Sequence, residues 1–250
     1  TESLIAEVSK VVVGKELHIR LMASAILAEG HILLDDLPGV GKTTLVKTLA
    51  LALGCRFARI QFTPDLLPSD VVGMNIFDRE SGALRRLDGP VFTNLLLADE
   101  LNRAIPRTQS ALLEAMEERQ VTVDGDTYPL ERPFLVIATQ NNVGSAGTQM
   151  LPYAQMDRFL VRLSMGYPDH DAQMNLLRQR QNADPLAQLS SVATKADVLR
   201  MQAEVLTVTA KDAILDYIAR LTAASREHPL VEVGISPRGA LFLDRMAKAH

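Results

Sequence analysis

Near the start of the chain, two glycines, a lysine and a threonine have the types and the spacing of a phosphate-binding loop. They are Gly39, Gly41, Lys42 and Thr43, within the stretch HILLDDLPGVGKTTL at 31–45. Glycine permits backbone angles that other residues avoid, so successive N–H groups can turn inward around a phosphate. The Lys42 ammonium is then placed to reach the β- and γ-phosphates, and the Thr43 hydroxyl to hold Mg²⁺. The pattern therefore predicts a site for a nucleoside triphosphate and its Mg²⁺.

The elements on either side of this loop support that interpretation. An apolar run at 32–34 predicts a buried strand before it, and leucines at helical spacing after it predict a helix whose N-terminus favours an anion. Asp36 stands where the pattern G-x-x-x-x-G-K-[ST] usually has glycine, but aspartate tolerates unusual φ values better than most residues. The predicted nucleotide-binding residues are Gly39, Val40, Gly41, Lys42, Thr43 and Thr44.

Polar side chains at the ends of two predicted core strands complete the candidate site. Asp99 and Glu100 follow the apolar run 94–98, and Asn141 follows the predicted strand 134–138. In a parallel sheet the carboxyl ends of the strands face the ligand. We therefore expect Asp99 to hold Mg²⁺ through water and Glu100 to take a proton from the attacking water. Asn141 is placed to orient that water, although a turn-forming role explains a lone asparagine equally well.

Two arginines are further candidates, because charge that builds up during phosphoryl transfer is stabilised by an added arginine, often from a neighbouring subunit. Arg158 precedes the last predicted strand, and Arg238 follows Ser236-Pro237 at the start of a helix. Taken alone, each is equally explained as a solvated surface arginine. Three glutamates, Glu114, Glu117 and Glu118, fall on the polar side of a predicted helix, and we interpret them as a solvated face.

Composition narrows the class of protein. The 250 residues are 47% hydrophobic and carry a net charge of −4, which argues against broad non-specific nucleic-acid binding. The single cysteine, Cys55, excludes an internal disulfide and lies in an apolar stretch, so a buried, inert thiol is expected. No apolar run reaches the roughly 18 residues of a membrane span, and a cytoplasmic location is the default expectation. The end of the chain, 238–250, still has a helical pattern, so we expect the natural chain to continue.

The order of patterns predicts an α/β fold. Five core strands are expected near 32–34, 56–62, 94–98, 134–138 and 159–163. A hairpin-like insert is expected at 71–88, and two short strands around Asp124-Gly125. After Gly166 the pattern is purely helical. We predict a nucleotide-binding core at 1–166 and a smaller helical domain at 167–250.

Taken together, these stretches resemble the MoxR-type AAA+ ATPases over nearly the whole chain. The resemblance is carried by LLDDLPGVGKTTL, QFTPDLLPSDVVG, GPVFTNLLLADELNRAIPRTQSALLEAMEERQVTV, FLVIATQN, LPYAQMDRFLVRL and GISPRGAL. It implies a P-loop NTPase fold, with a parallel five-stranded sheet between helices and a helical lid that lacks its expected final part. It also implies Lys42 and Thr43 in Walker A, Asp99 and Glu100 in Walker B, Asn141 as sensor 1, Arg158 as a trans arginine finger, and Arg238 as sensor 2. The insert at 71–88 corresponds to the family's helix-2 insert.

The resemblance implies a function as well. Such a protein is an ATP-hydrolysing, Mg²⁺-dependent motor that forms a homo-oligomeric ring, expected to be a hexamer, with ATP between the core and the lid. It remodels or matures a protein client, often with a von Willebrand factor A domain partner. Asp36 is common in the family. Asn142 replaces the usual proline after the sensor asparagine, and Tyr153 replaces the usual glutamate.

Several alternatives stay open at this stage. A chelatase-type motor subunit for metal insertion shares the same motifs. A small-molecule kinase shares the phosphate-binding loop but has no need of the Asp-Glu pair with a trans arginine. A scaffold that binds ATP and assembles without turnover is a different class, against which the intact Glu100 argues. A nucleic-acid motor is least favoured, since the chain is acidic and lacks a track of aromatic and basic residues.

Overall fold

A computed structural model describes residues 1–37, 39–80, 82–141, 150–181 and 185–250. The strands in these ranges are β1 (Ile32–Asp35), β2 (Phe57–Gln61), β3 (Gly73–Asp78), β4 (Ala83–Asp88), β5 (Leu95–Asp99), β6 (Gln120–Val123), β7 (Asp126–Pro129), β8 (Leu135–Gln140) and β9 (Val161–Leu163). The α-helices are α1 (Glu2–Ser9), α2 (Glu16–Leu27), α3 (Lys42–Ala52), α4 (Pro68–Val72), α5 (Pro106–Glu118), α6 (Tyr153–Met156), α7 (His170–Arg180), α8 (Lys195–Thr207), α9 (Asp212–Glu227) and α10 (Pro237–Ala249).

Five of these strands form one parallel sheet in the order β2-β5-β8-β1-β9. In the centre, Ile32 of β1 pairs with Ile137 of β8 on one side and with Val161 of β9 on the other. The predicted parallel sheet of five strands is therefore confirmed. The strand ends differ by two residues at two places: β8 continues to Gln140, and β9 begins only at Val161, because Phe159 still closes a turn onto Met156.

Helices cover both faces of the sheet, and this explains the nearly continuous apolar runs of its strands. On one face, Ile32, Leu34 and other strand residues pack against α1, α2 and α3. On the opposite face, Leu33 and the strand residues that alternate with the first set pack against α5 and the β6–β7 hairpin. The predicted α/β fold with a sheet between helices is confirmed.

The insert begins later than predicted. We expected a hairpin over 71–88, but Val71 and Val72 end the short helix α4, and the antiparallel pair β3–β4 starts at Gly73. Pro68 opens this helix and the Asp70 carboxylate accepts a hydrogen bond from the Leu67 N–H at 2.8 Å, so capping overrides the apolar pattern. The predicted second hairpin around Asp124-Gly125 is present as β6 and β7.

After Gly166 the described chain contains helices, as predicted. Two of them, α8 and α10, lie against α2, and Val198 of α8 joins the cluster of buried residues around α1, α2 and α3. The division into a core at 1–166 and a helical domain at 167–250 remains a prediction. In the described ranges no helix is long and apolar enough to cross a membrane. Cys55 is buried, and desolvation raises the pKa of its thiol to about 11, as expected for an inert cysteine.

His31, just before β1, is a buried neutral histidine. The Val136 N–H can only donate, so Nδ1 accepts at 2.9 Å, and Nε2 carries the proton and donates to the Met116 carbonyl at 3.0 Å. Desolvation lowers its pKa to about 4. The stability due to the neutral ring is therefore complete above pH 6.5 and is lost as the pH falls toward 4.

We predict that protonation of His31 lowers the free energy of unfolding by about 3 kcal/mol as the pH falls from 6.5 to 4, at about 1.4 kcal/mol per pH unit. Urea unfolding of the wild type and of His31→Gln across this range measures it, because the variant keeps an amide donor near Met116 but has no group that titrates there. Identical pH slopes for the two proteins would contradict the prediction.

Candidate active site

The loop between β1 and α3 has an open, glycine-lined surface. Gly39 and Gly41 have φ values of +84° and +88°, which side chains adopt only with strain. A Cβ added to either glycine would meet no atom within 4 Å, so the space that these residues face is free. Gly41 directly precedes α3, whose first N–H groups and partial positive charge are available to an anion. The loop has the form that phosphate binding needs.

Lys42 lies at the first position of α3, and its ammonium is buried within this site. Its Nζ donates to the Asp36 carbonyl at 3.1 Å and to Asn141 Oδ1 at 3.3 Å. Burial lowers the pKa of Lys42, while the carboxylates of Asp99, Asp36 and Glu100 oppose that shift and favour the charged form. The structure thus fixes a cation beside the loop.

Asp99 ends β5 and is held from two sides. Its Oδ1 accepts a hydrogen bond from the Thr139 hydroxyl at 2.6 Å, and its Oδ2 pairs with Arg59 Nη2 at 2.7 Å. The Thr139 oxygen in turn accepts from the Glu100 N–H at 2.8 Å. One hydroxyl therefore fixes both acidic residues relative to β8.

Glu100 has a left-handed backbone, with φ at +56°, and both of its carboxylate oxygens are engaged. Its Oε1 accepts from Asn141 Nδ2 at 2.7 Å. Its Oε2 accepts from Gln61 Nε2 at 2.9 Å and from Arg103 Nη1 at 2.7 Å. A base that attracts a water proton needs a free lone pair. Glu100 Oε2 accepts two hydrogen bonds and Oε1 accepts one from Asn141, so a lone pair on Oε1 is left for water.

The structure brings Lys42, Asp99, Glu100 and Asn141 into one connected group. Asn141 is the centre of it, because its amide bridges the lysine and the glutamate. Asn142, the predicted departure after it, lies outside the described residues.

The donor set fits Mg²⁺ that arrives with a nucleotide. Among the described residues there is no cluster of three or more His, Cys, Asp or Glu side chains that could hold a metal by itself. Mg²⁺ commonly uses one or two protein oxygens and completes its shell with phosphates and water. Thr43, one residue into α3, and Asp99 are oxygen donors of that kind.

The two predicted arginines lie elsewhere. Arg158 Nη1 pairs with Glu117 Oε2 at 2.7 Å, and Arg238 Nη2 pairs with Glu117 Oε1 at 2.5 Å. Both line a cavity of about 180 Å³ together with Glu29, Gly30 and His31, the residues that lead into β1. The phosphate-binding loop follows β1, so the arginines and the loop lie at opposite ends of that strand.

One expectation changes as a result. Arg238 does not approach the phosphate-binding loop of its own chain, so ATP held between that loop and this arginine of one chain does not fit the structure. Glu114, Glu117 and Glu118 are all exposed, as predicted for the solvated face of α5. The carboxylate of Glu117, which is 38% exposed, also pairs with two arginines, a role that the prediction did not include.

Several residues that hold the site in place are not among the candidates that sequence patterns indicate. Gln61 and Thr139 both contact the acidic pair, and both lie at the carboxyl ends of core strands, where the rule that located Asp99 also applies. Arg59 and Glu117 give no such signal, since their partners are set by tertiary packing.

Asp36, where the loop pattern usually has glycine, has a role of its own. Its buried carboxylate accepts hydrogen bonds from Ser164 Oγ at 2.9 Å, from the Met165 N–H at 2.5 Å and from the Gly166 N–H at 3.0 Å. Its carbonyl holds Lys42. Asp36 therefore ties the phosphate-binding loop to the segment that leaves β9.

We predict that Asp36→Asn lowers the free energy of unfolding by about 2–3 kcal/mol, because a neutral amide cannot accept from all three donors and leaves buried N–H groups unsatisfied. Chemical denaturation measures this. Asp126→Asn, an exposed change on β7, is the matched control and should be neutral. Equal stability of Asp36→Asn and the wild type would contradict the role assigned to the carboxylate.

Comparison with known proteins identifies the family of this chain. The family described as ATPase family associated with various cellular activities (AAA) matches residues 31–161. YeaC of Bacillus subtilis is 48% identical over 98% of this chain and 77% of its own length. Chaperone MoxR1 of Mycobacterium tuberculosis is 38% identical over 99% of this chain and 68% of its own.

A solved structure is similar as well. The crystal structure of a protein from Cytophaga hutchinsonii superimposes with a TM-score of 0.91 at 43% identity, covering 99% of this chain and 78% of that one. Protein MoxR of Methylorubrum extorquens is 33% identical over 98% of this chain. On the family match and these full-length similarities, the chain belongs to the MoxR-type AAA+ ATPases.

Proposed function

We propose that this protein hydrolyses ATP in a ring of identical subunits, in which each site is completed by Arg158 and Arg238 of the neighbour. One observation carries the proposal: the phosphate-binding loop with its acidic pair and the two arginines lie at opposite ends of β1. A four-residue strand alone separates them by roughly 13 Å, so one chain cannot close its own site.

Within one subunit the residues have distinct roles. The loop N–H groups from Gly39 to Thr44 and the Lys42 ammonium bind the phosphates. Thr43, and Asp99 through water, would hold Mg²⁺, which would neutralise part of the phosphate charge. Asn141 orients the attacking water beside Glu100.

Glu100 then accepts a proton from that water as its oxygen bonds to the γ-phosphorus. The bond from that phosphorus to the β–γ bridging oxygen breaks, and ADP leaves with the electron pair. Gln61 and Arg103 hold Oε2 in the structure described, and Oε1, which accepts from Asn141, keeps a second lone pair that can take the water proton.

The neighbour supplies the remaining charge stabilisation. Arg158 and Arg238 share one carboxylate, so they approach the γ-phosphate of the next subunit together. In a closed ring every subunit has a neighbour that supplies these two arginines, and we propose that this ring is a hexamer.

The work done by this cycle is proposed from the relatives. One relative, similar over 99% of this chain and 68% of its own length, is named Chaperone MoxR1. We propose that hydrolysis here drives chaperone-like remodelling or maturation of a protein client in the cytoplasm, with a von Willebrand factor A domain protein as a partner. The chelatase-type alternative differs in the client on which the motor acts. Tests with isolated protein partners distinguish remodelling of a protein client from metal insertion.

ATP turnover per subunit, measured as phosphate release over a wide range of protein concentration, tests the proposal. A steep rise with concentration is expected, since sites form only between subunits. A flat, appreciable rate would overturn the trans arrangement. Full ATP binding without phosphate release would instead favour the non-hydrolysing scaffold, and phosphate transfer to an added acceptor would favour the kinase.

A further inference from the structure

We propose that Glu117 is a positioning residue that holds Arg158 and Arg238 as a single clamp for the γ-phosphate of the neighbouring subunit. This inference rests on the proposed trans function of the two arginines. It assigns a role in the reaction to a glutamate on α5 whose sequence pattern indicates only a solvated helix face.

The contacts of Glu117 divide evenly between the arginines. Oε2 pairs with Arg158 Nη1 at 2.7 Å, and Oε1 pairs with Arg238 Nη2 at 2.5 Å. Each oxygen thus bonds one guanidinium, and each bond is charge-assisted and short. A carboxylate that bridges in this way fixes the distance between the two cations.

The backbone elements that carry the arginines are tied at further points. Arg158 Nη1 also donates to the Leu113 carbonyl at 2.8 Å, one turn before Glu117 on α5. The hydroxyl of Ser236, which caps α10, donates to Asp157 Oδ1 at 2.6 Å. Asp157 directly precedes Arg158, and α10 carries Arg238 in its first turn. The arginines therefore move as one unit with α5.

The charges explain why such a tie is needed. Two neighbouring guanidiniums repel each other, and Arg245 lines the same cavity and adds to that repulsion, whereas Arg119 there is paired with Glu29 at 2.6 Å. Glu117 offsets one positive charge and leaves the pair with a net charge of about +1. The side chains of Arg158 and Arg238 are 31% and 38% exposed, and each guanidinium has five N–H donors, more than its pairing with Glu117 uses. A phosphate of the next subunit fits that residual charge.

If Glu117 aligns the arginines, its loss reduces the stabilisation of the transition state more than it reduces the affinity for ATP. In the assembly, the phosphates are bound mainly by the phosphate-binding loop of the neighbouring subunit. In each chain this loop lies at the opposite end of β1 from Glu117 and the two arginines. Misplacement of catalytic groups by about 1 Å costs up to about 10²-fold in rate.

The test is steady-state ATP hydrolysis by Glu117→Gln in the assembled protein. We expect kcat to fall about tenfold or more, with KM for ATP changed by less than about twofold. Glu114→Gln is the matched control: it removes an exposed glutamate three residues earlier on the same helix, and it should leave both constants unchanged. A Glu117→Gln rate equal to that of the wild type, or higher, would overturn the proposal.

Mixed assemblies separate a positioning role from a structural one. Subunits with Glu100→Gln have intact arginines and Glu117 but no base. In a mixed assembly, a Glu100→Gln subunit places its intact clamp against the intact loop and base of a neighbouring Glu117→Gln subunit. The ATPase rate of the mixture should therefore exceed the sum of the rates of the two separate proteins. A merely misfolded Glu117→Gln chain gives no such gain.

The same mixing experiment with Arg158→Ala subunits tests the underlying function. If Arg158→Ala is rescued by Glu100→Gln subunits but Glu117→Gln is not, the clamp proposal alone fails. If Arg158→Ala is not rescued either, the trans function fails, and the clamp proposal fails with it.

Discussion

Arg158→Ala is expected to lower kcat for ATP hydrolysis about 10³-fold, because an arginine that stabilises transition-state charge contributes roughly 10³–10⁵ in rate. The nucleotide is bound mainly by the phosphate-binding loop and Lys42 of the neighbouring subunit, and the arginine acts on charge that builds up in the transition state, so the affinity for ATP should change by less than about twofold. Phosphate release at saturating ATP and equilibrium binding of a fluorescent ATP analogue measure the two effects separately.

Arg220→Ala provides the control for this change. Arg220 is an exposed arginine on α9 that pairs with Asp216, one turn earlier, and its loss should leave the rate unaltered. The substitution at Arg158 also removes a donor from the Leu113 carbonyl, so thermal unfolding must be compared as well. A fall of less than about tenfold in a folded, assembled variant would exclude Arg158 from the reaction.

The parts of the site that sequence indicates are those fixed by local rules. Lys42 follows from a contiguous loop pattern, and Asp99, Glu100 and Asn141 follow from the rule that parallel strands present their carboxyl ends to ligands. The structure places these four in one hydrogen-bonded group. Their positions depend on the sheet order, and the apolar runs that define the sheet are plain in the sequence.

The position of the arginines is not fixed in that way. Glu117 and Arg238 are 121 residues apart in the chain, and no spacing or pattern relates them. Their pairing depends on where α10 lies against α2, α8 and α9. Helical periodicity shows that α5 has a polar side, but it does not distinguish a carboxylate in water from one that binds two guanidiniums.

Asp36 illustrates the opposite case, in which a departure from a pattern is informative. As a residue in a loop it looked like a tolerated replacement of glycine. In the structure it is buried and accepts three hydrogen bonds from the end of the last core strand. Those donors are 128 to 130 residues away, so the sequence shows the exception but not its partner.

Glu100→Gln should lower kcat about 10²–10⁴-fold while ATP binding persists, because the amide keeps the shape of the side chain but cannot accept the water proton. The amide oxygen can still accept from Asn141, so the group around Lys42 is retained. Single-turnover measurements with radiolabelled ATP distinguish slow chemistry from slow product release. Glu118→Gln on α5 is the control, since that glutamate is exposed and remote from the loop.

The Glu100→Gln variant also tests whether release of a client depends on ATP hydrolysis. With chemistry blocked, subunits should remain in the ATP-bound assembled state, and a client that is released only after hydrolysis should stay bound. Crosslinking in the presence of ATP, compared with ADP, measures that retention against Lys42→Ala, which removes the phosphate-binding cation. Equal recovery of the same protein by both variants would show that binding is independent of nucleotide, and a residual rate within tenfold of the wild type would remove Glu100 from the role of base.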